Sequence, residues 1–483
     1  MLSKSETEAL YCQTNFIPTG STNHPLVGKA QLIMGLGNTG FASQWYLTGT
    51  DTSRLPNFRA VSPASDGIIL QDRGYWPVTG TVYTVLGQHV SAATLGPWNY
   101  FTVLQDWNSV KNIQLTSVNA EKVQTNGFVH VDVNLGGNSA HGSEVVLLAA
   151  KRGNVMTGHG NDYINIKVAS NETTWSNEFR INSGSGHDHV KIEAFNLDAF
   201  KCQDPYKNLA EGFLKTDGAW QRVYANLENG NDIFDSTSVN TRDYVKAGNG
   251  DDVVATGGGD DRVDGGAGRD QINGGNGNDI LDAGSNGQYA DTYKAFYKTL
   301  YSECGCSKDV TGLVNAMKAT AEVVVGGQGN DVLVSTGNGS GVDGSDIYTG
   351  GTGADTFFFT GRWGFDVITD FVGGTSGDKL ALDGFFTGST VKTGLYVANA
   401  DGGTTADDLL VVLWQGTSLQ AGSQRAILLD DFFTLNNGVI DTTGYKNKLV
   451  TATQIDALGT NSIFETDKAD HDALKASLGN FYA

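Results

Sequence analysis

The sequence predicts an all-β chain: a parallel β-roll or β-helix solenoid with a β-rich N-terminal module and a small helical insertion. Three observations carry that expectation. Ten times between residues 158 and 357 the chain writes a variant of Gly-x-Gly-x-Asp-x-apolar. In the cleanest stretch the copies fall nine residues apart, at Asp252, Asp261, Asp270 and Asp279, followed two positions on by Val254, Val263, Ile272 and Leu281. Ahead of the repeat, short runs such as Val129-His130-Val131-Asp132-Val133 and Val190-Lys191-Ile192 already recur between polar turns, the rhythm of a solenoid.

Residues 1–110 are aromatic and Ser/Thr-rich with strand-like runs such as Thr81-Val82-Tyr83-Thr84-Val85-Leu86, and form the expected N-terminal module. Residues 111–246 read as an irregular β-solenoid, interrupted at 196–220 by a mixed aromatic and charged insertion. Residues 247–383 carry the regular repeat. Within them, 289–322 reads as a pair of helices: Tyr293, Phe296, Tyr297, Leu300 and Tyr301 share one helical spacing, and Val310, Leu313, Val314 and Met317 another. Residues 384–483 form a C-terminal β cap.

Each nonapeptide divides into a turn and a very short strand. The aspartate supplies a hard anionic oxygen, the ligand type calcium takes at about 2.3–2.6 Å. The apolar residue two places on alternates into the core. Two nonapeptides close one coil, so aspartates eighteen residues apart stack: Asp252 over Asp270, Asp261 over Asp279. Turn carbonyls from Gly248, Gly250, Gly257, Gly259, Gly266, Gly268, Gly275, Gly277, Gly327 and Gly329 complete the expected coordination. The same aspartate–apolar pairing recurs as Asp331 with Leu333, Asp346 with Tyr348 and Asp355 with Phe357. Earlier copies at Asp162, Asp188 and Asp232 need inserted loops, because 26 and 44 residues separate them. A disordered glycine-rich acidic linker has no reason to keep one apolar offset ten times.

The formal net charge is −21, from 53 acidic and 32 basic side chains. That balance argues against nucleic acid or anionic lipid as partner. Residues 228–283 alone hold twelve acidic and four basic side chains, which repel one another unless a cation intervenes. Extracellular calcium modules bind at about 0.1–1 mM, so the expected chain is loose inside a cell and sets outside it. No stretch reaches the roughly 18–20 apolar residues of a membrane span. Met1-Leu2-Ser3-Lys4-Ser5-Glu6-Thr7-Glu8 lacks a basic-then-apolar leader, so export by a C-terminal signal is expected. Cys12, Cys202, Cys304 and Cys306 permit two bridges in three ways; a bridge from Cys202 to one of the close pair and free thiols both stay open.

Gly265-Gly266-Ala267-Gly268-Arg269-Asp270-Gln271-Ile272, Gly274-Gly275-Asn276-Gly277-Asn278-Asp279-Ile280-Leu281 and Gly326-Gly327-Gln328-Gly329-Asn330-Asp331-Val332-Leu333 match the nonapeptide of RTX (hemolysin-type) proteins at every fixed position. After Asp355, the run Phe365-Asp366-Val367-Ile368-Thr369-Asp370-Phe371 and then Gly377-Asp378-Lys379-Leu380-Ala381-Leu382 resembles the segment that closes the β-roll in serralysin-type secreted proteins. The resemblance covers residues 247–383. It implies several bound calcium ions and export by a type I secretion system reading an uncleaved signal within about 440–483.

RTX tails accompany proteases, lipases, epimerases, toxins, adhesins and surface-layer proteins, so the tail does not name an activity. The chain holds no His-Glu-x-x-His and no Gly-x-Ser-x-Gly, so the zinc protease and lipase branches are not carried over. His187-Asp188-His189 invites a metal reading, but Asp188 already belongs to the repeat. The preferred expectation is a secreted calcium-binding structural or surface protein that assembles as a homo-oligomer or polymer into a layer, filament or adhesive matrix, with surface glycans as further partners. The alternatives are a polysaccharide lyase or epimerase with an RTX tail, using residues such as His130 and Asp132, and an adhesion module that does not assemble.

Overall fold

The structure, a computed structural model, describes seven strands among residues 31–104 and then residues 112–116, 122–126, 130–135, 142–168, 177–194, 221–285, 308–318, 320–336, 345–360, 364–373, 377–382, 391–401, 407–415, 424–435, 472–474 and 476. The chain divides into two units, Met1–Val245 and Lys246–Ala483. All four cysteines, the 196–220 insertion, the Tyr293–Tyr301 run and most of 440–483 lie outside the described residues.

The first unit opens with β1 (Gln31–Gly35), β2 (Gln44–Thr48), β3 (Phe58–Ala60), β4 (Gly67–Asp72), β5 (Thr81–Leu86), β6 (His89–Thr94) and β7 (Tyr100–Leu104). Their pairing is mixed: β1 with β2 and β5 with β6 run antiparallel, whereas β5 with β7 runs parallel. From residue 112 onward the pairing described within this unit is parallel. One wall stacks β8 (Asn112–Thr116), β10 (His130–Asn134), β12 (Arg152–His159), β14 (Asn177–Ser185) and β16 (Gln221–Asn226). The facing wall stacks β9 (Lys122–Asn126), β11 (Glu144–Ala150), β13 (Tyr163–Val168), β15 (His189–Ala194) and β17 (Ile233–Asp235). Alternation sends one apolar set inward, so Val131, Val145, Ile164, Ile166, Phe179, Val190, Ile192, Val223 and Phe234 are all fully buried. Each contributes roughly 1.5–3 kcal/mol of transfer free energy. β18 (Arg242–Asn249) begins at the end of this unit.

In the second unit the rungs are shorter. β19 (Val253–Ala255), β21 (Gln271–Asn276), β24 (Glu322–Gln328), β26 (Asp346–Thr352) and β28 (Phe365–Ile368) pair in parallel along one wall. β20 (Arg262–Ala267), β22 (Ile280–Asp282), β25 (Val332–Thr336), β27 (Thr356–Thr360) and β29 (Lys379–Leu382) form the other. The core narrows to one or two side chains per rung: Val254, Ile272, Val324, Tyr348 on one side and Val263, Leu281, Leu333, Phe357 on the other.

Before β24 come β23 (Lys308–Asp309) and a helix, α1 (Thr311–Lys318). It is the second of the two helices expected in 289–322. Val310, Val314 and Met317 are buried with Phe365, Val367, Leu410 and Leu428, so the apolar stripe of α1 covers the roll rather than facing outward. After β29, β30 (Val391–Asn399), β31 (Asp408–Gln415) and β32 (Gln424–Leu429) make an antiparallel meander whose last strand pairs in parallel with β28. A short α2 (Phe432–Leu435) follows.

Candidate metal centre

Parallel register turns the Asp-x-apolar spacing into columns. In the second unit the N–H of Asp252 donates to Oδ1 of Asp270 at 2.9 Å. On the opposite wall the N–H groups of Asp261, Asp279, Asp331 and Asp355 donate in turn to Oδ1 of Asp279 (2.8 Å), Asp331 (2.8 Å), Asp355 (2.9 Å) and Asp378 (3.0 Å). The first unit repeats the device. Ser143 donates its N–H to Asp162, Asp162 to Asp188 at 2.8 Å, and Asp188 to Asp232 at 2.7 Å. The inserted loops between those three aspartates thus leave them on successive rungs.

One carboxylate oxygen of each of these acceptors is therefore committed to an N–H of the preceding rung. The second lies against its own turn. A Cβ added at Gly265, Gly274, Gly326 or Gly350 would collide with Oδ2 of Asp270, Asp279, Asp331 or Asp355, five residues on. That collision explains the first glycine of the motif better than backbone freedom does. The second glycine is a conformational requirement: Gly327 has φ +115°, and a Cβ there would overlap the carbonyl of Gly275 one rung away. In the corresponding turn of the first unit Glu228 stands with φ 70°, a left-handed position that disfavours a side chain. It accepts a 2.7 Å hydrogen bond from Asn182 Nδ2.

The turn carbonyls carry a load that the sequence reading did not include. The carbonyl of Gly257 accepts the N–H of Asn276 and that of Gly266 accepts the N–H of Ser285, at 2.8 and 2.7 Å. Likewise the N–H groups of Gly250, Gly259, Gly277 and Gly329 bond to carbonyls of the following turn. A carbonyl has two lone pairs, so these bonds leave one available to a cation.

Electrostatics make the columns costly without one. Asp270 is fully buried and its Oδ2 has no hydrogen-bond partner. Burial first, and then the charges of Asp252, Asp251 and Asp264, push its carboxyl up to about 8, against the pull of the Asp252 N–H. Asp331, equally without a partner at Oδ2, rises to about 7 through burial and the charge of Asp355. Asp162 and Asp378 are each raised to about 6, mainly by burial. Buried carboxylate oxygens beside backbone carbonyls are the donor set of a hard divalent cation.

Asp346 sits differently. It is level with Glu322 on β24, and its N–H donates to Oδ1 of Asp366 at 3.0 Å. Three carboxyl groups thus follow one another inside the roll, with the Tyr348 hydroxyl 3.0 Å from Oδ2 of Asp346. The turn before Asp346 lies outside the described residues. Glu322, Asp366 and Asp378 were not among the residues expected from the motif. Their signal was present, since Val324, Ile368 and Leu380 hold the same two-residue offset.

His187, Asp188 and His189 do not converge. Asp188 is buried in its column, His187 accepts the Asn231 N–H at Nδ1 (2.8 Å), and His189 packs edge-on against Tyr163. Outside the columns, Asp407, Asp408 and Asp431 bring carboxylate oxygens within 4.8 Å of one another. Asp408 there accepts the N–H groups of Ala400 and Asp431.

The model of the RTX calcium-binding nonapeptide repeat matches four times, over residues 237–272, 256–286, 319–336 and 340–358. The chain is an RTX-repeat protein. Its repeats bind calcium, and the matched windows hold Asp252, Asp261, Asp270, Asp279, Asp331, Asp346 and Asp355. The columns at Asp162, Asp188 and Asp232 fall before the first match. Proteins with such repeats are typically secreted, which supports an extracellular location and type I export for this RTX-repeat protein. No curated protein matches the chain. Among the described residues no helix is long and apolar enough to cross a membrane.

Proposed function

We propose that this RTX-repeat protein is a structural or surface protein, carried out by the type I route with a signal in 440–483, that sets on extracellular calcium and then assembles into a layer, filament or adhesive matrix. The ions are held by Asp252, Asp261, Asp270, Asp279, Asp331, Asp346 and Asp355, and in the first unit by Asp162, Asp188 and Asp232. Carbonyls of the glycine turns complete each shell, and residues 384–483 close the roll. The observation that carries this reading is the buried, partnerless Oδ2 of Asp270 and Asp331. Each needs a proton or a cation, and at extracellular calcium the cation wins.

The test is sedimentation and negative-stain imaging in calcium and then in EGTA. Ordered polymers that dissolve on chelation are expected. A calcium-loaded monomer at all concentrations removes the assembly claim, and an unchanged melting curve in EGTA removes the calcium claim. A second reading, a polysaccharide-cleaving enzyme, has one observation behind it: His130 Nε2 lies 3.0 Å from Asp132 Oδ1 on an outward face. Shortening of alginate or pectin oligomers by the calcium-loaded chain would establish it.

A further inference from the structure

The outer face of the second unit changes character part-way along one wall. Alternation turns Asp264 of β20 outward, and register sets Asp282 of β22 level with it. The same outward column then runs on as Val334 of β25, Phe358 of β27 and Ala381 of β29. Asp282 is held at the boundary by the Thr336 hydroxyl, which donates to Oδ1 at 2.9 Å. Ile280 and Val332, both partly buried, pack beside the apolar part of the column. An outward strand position ordinarily meets water. Val334, Phe358 and Ala381 are instead 0%, 1% and 0% exposed.

Leu474 packs over that stripe. It is helical, as are Asp472, Ala473 and Ala476, and those three are exposed while Leu474 is half-buried. The chain ends nine residues later, at Ala483. The C-terminal segment therefore turns one leucine to the roll and its small and acidic neighbours to water. The stripe itself is a product of stacking. Its three residues lie 24 and 23 positions apart on three rungs, and only parallel register makes them one surface. Those rungs follow directly on Asp331, Asp355 and Asp378, successive members of one column.

We propose that the calcium-set roll captures the C-terminal end of its own chain: filling the column assembles the stripe, and the stripe takes Leu474. This rests on the reading of the columns as calcium sites. In the metal-free chain the stripe is dispersed over separate segments, so nothing holds the end and it is reachable. In the set roll the end is covered. The proposed export signal lies within 440–483, so the ions that set the roll also withdraw that signal from the exporter. The occupant is this segment rather than a second copy, because Leu474 already sits on the stripe and Phe358 is left 1% exposed. A stripe stripped of its cover is a contiguous apolar patch of the kind that draws copies together.

The test is hydrogen exchange of the full chain in millimolar calcium and in EGTA, read on the peptide around Leu474 and on β25 and β27. In calcium the amides around Leu474 should exchange about tenfold slower or more than in EGTA. Leu474→Glu should return them to the EGTA rate in calcium while β25 and β27 keep their protection. Ala473→Glu puts the same side chain on the exposed side of the helix and should behave as wild type. A serine carboxypeptidase, which needs no metal, should trim past residue 474 in EGTA and stop short of it in calcium. Equal exchange of the segment in both conditions, fast or slow, overturns the proposal, as does full protection in Leu474→Glu or equal loss in Ala473→Glu. If β25 and β27 themselves do not respond to calcium, the calcium reading of the columns fails and takes this proposal with it; a roll that responds while the segment does not removes the capture alone.

Discussion

Asp270→Asn separates the two states of the roll, because it should raise stability without calcium and lower the gain from calcium. The asparagine keeps an oxygen to accept the Asp252 N–H, which now sits at 2.9 Å from Oδ1. It removes a charge that burial pushes up to about 8. The unfolded carboxyl ionises near 3.9, so at pH 7 the metal-free fold must keep a proton there across about three pH units. At about 1.4 kcal/mol per unit that amounts to roughly 4 kcal/mol of destabilisation relieved by the substitution. With calcium ten- to a hundredfold above its dissociation constant, a lost site removes roughly 1.4–2.7 kcal/mol. For a unit of this size that is a decrease of roughly 3–10 °C in the calcium-induced rise of Tm. Differential scanning calorimetry of wild type and variant in EGTA and in millimolar calcium measures both quantities. A Tm in EGTA that does not rise would show that Asp270 pays no burial penalty, and an unchanged calcium increment would remove it as a ligand.

Calcium affinity should fall as pH drops. Asp270 and Asp331 are raised to about 8 and about 7, so the metal-free fold holds protons that the unfolded chain has lost above about 4. The metal-free fold therefore gains stability as pH falls from 8 toward 4, while calcium must displace those protons. Titration in buffers of different ionisation enthalpy at pH 7 should report proton release on calcium binding, and none would contradict the assigned columns. Gly327→Ala should destabilise by more than 1 kcal/mol, since φ is +115° and a Cβ meets the Gly275 carbonyl. Gly312→Ala, in α1 with nothing within 4 Å of its Cβ position, should instead stabilise by about 0.4–1 kcal/mol; thermal melts of the two compare them.

What the sequence reveals is set by how local the cause is. The Asp-x-apolar offset is a property of one strand, so the columns at Asp252–Asp270 and Asp261–Asp279 are legible in the amino-acid sequence. Asp366 and Asp378 keep the same offset but lack the full glycine pattern before them, and a motif that demands the glycines hides them. The shared requirement is a carboxyl level with its neighbour on the next rung, whatever turn delivers it. Phe358 is a harder case. Between inward Phe357 and Phe359, alternation sends it outward, yet it is 1% exposed. Leu474, more than a hundred residues on, packs against the cluster of Val334, Phe358 and Ala381. Such a contact depends on where a distant segment returns, which strand periodicity does not encode. The stack of the Arg180 guanidinium over the Tyr224 ring, and of Tyr224 on Tyr244, was hidden for a related reason: insertions of unequal length separate rungs that register then brings together.

Asp331 tests whether the column is a metal device, a register device, or both. Its Oδ1 accepts the N–H of Asp279 at 2.8 Å, while its Oδ2 faces the Gly326 position without a hydrogen-bond partner. Alanine removes both oxygens; asparagine removes the charge and keeps the acceptor. In calcium both variants should lose the same increment, because either change takes away an anionic ligand. In EGTA they should part, with the alanine variant less stable than the asparagine variant by about 1–3 kcal/mol, the usual cost of leaving a buried N–H unsatisfied. Urea melts in EGTA at pH 7 measure that gap. If the two variants coincide there, the bond from the Asp279 N–H to Asp331 contributes nothing measurable, and the strand ladder alone holds the register of the metal-free roll.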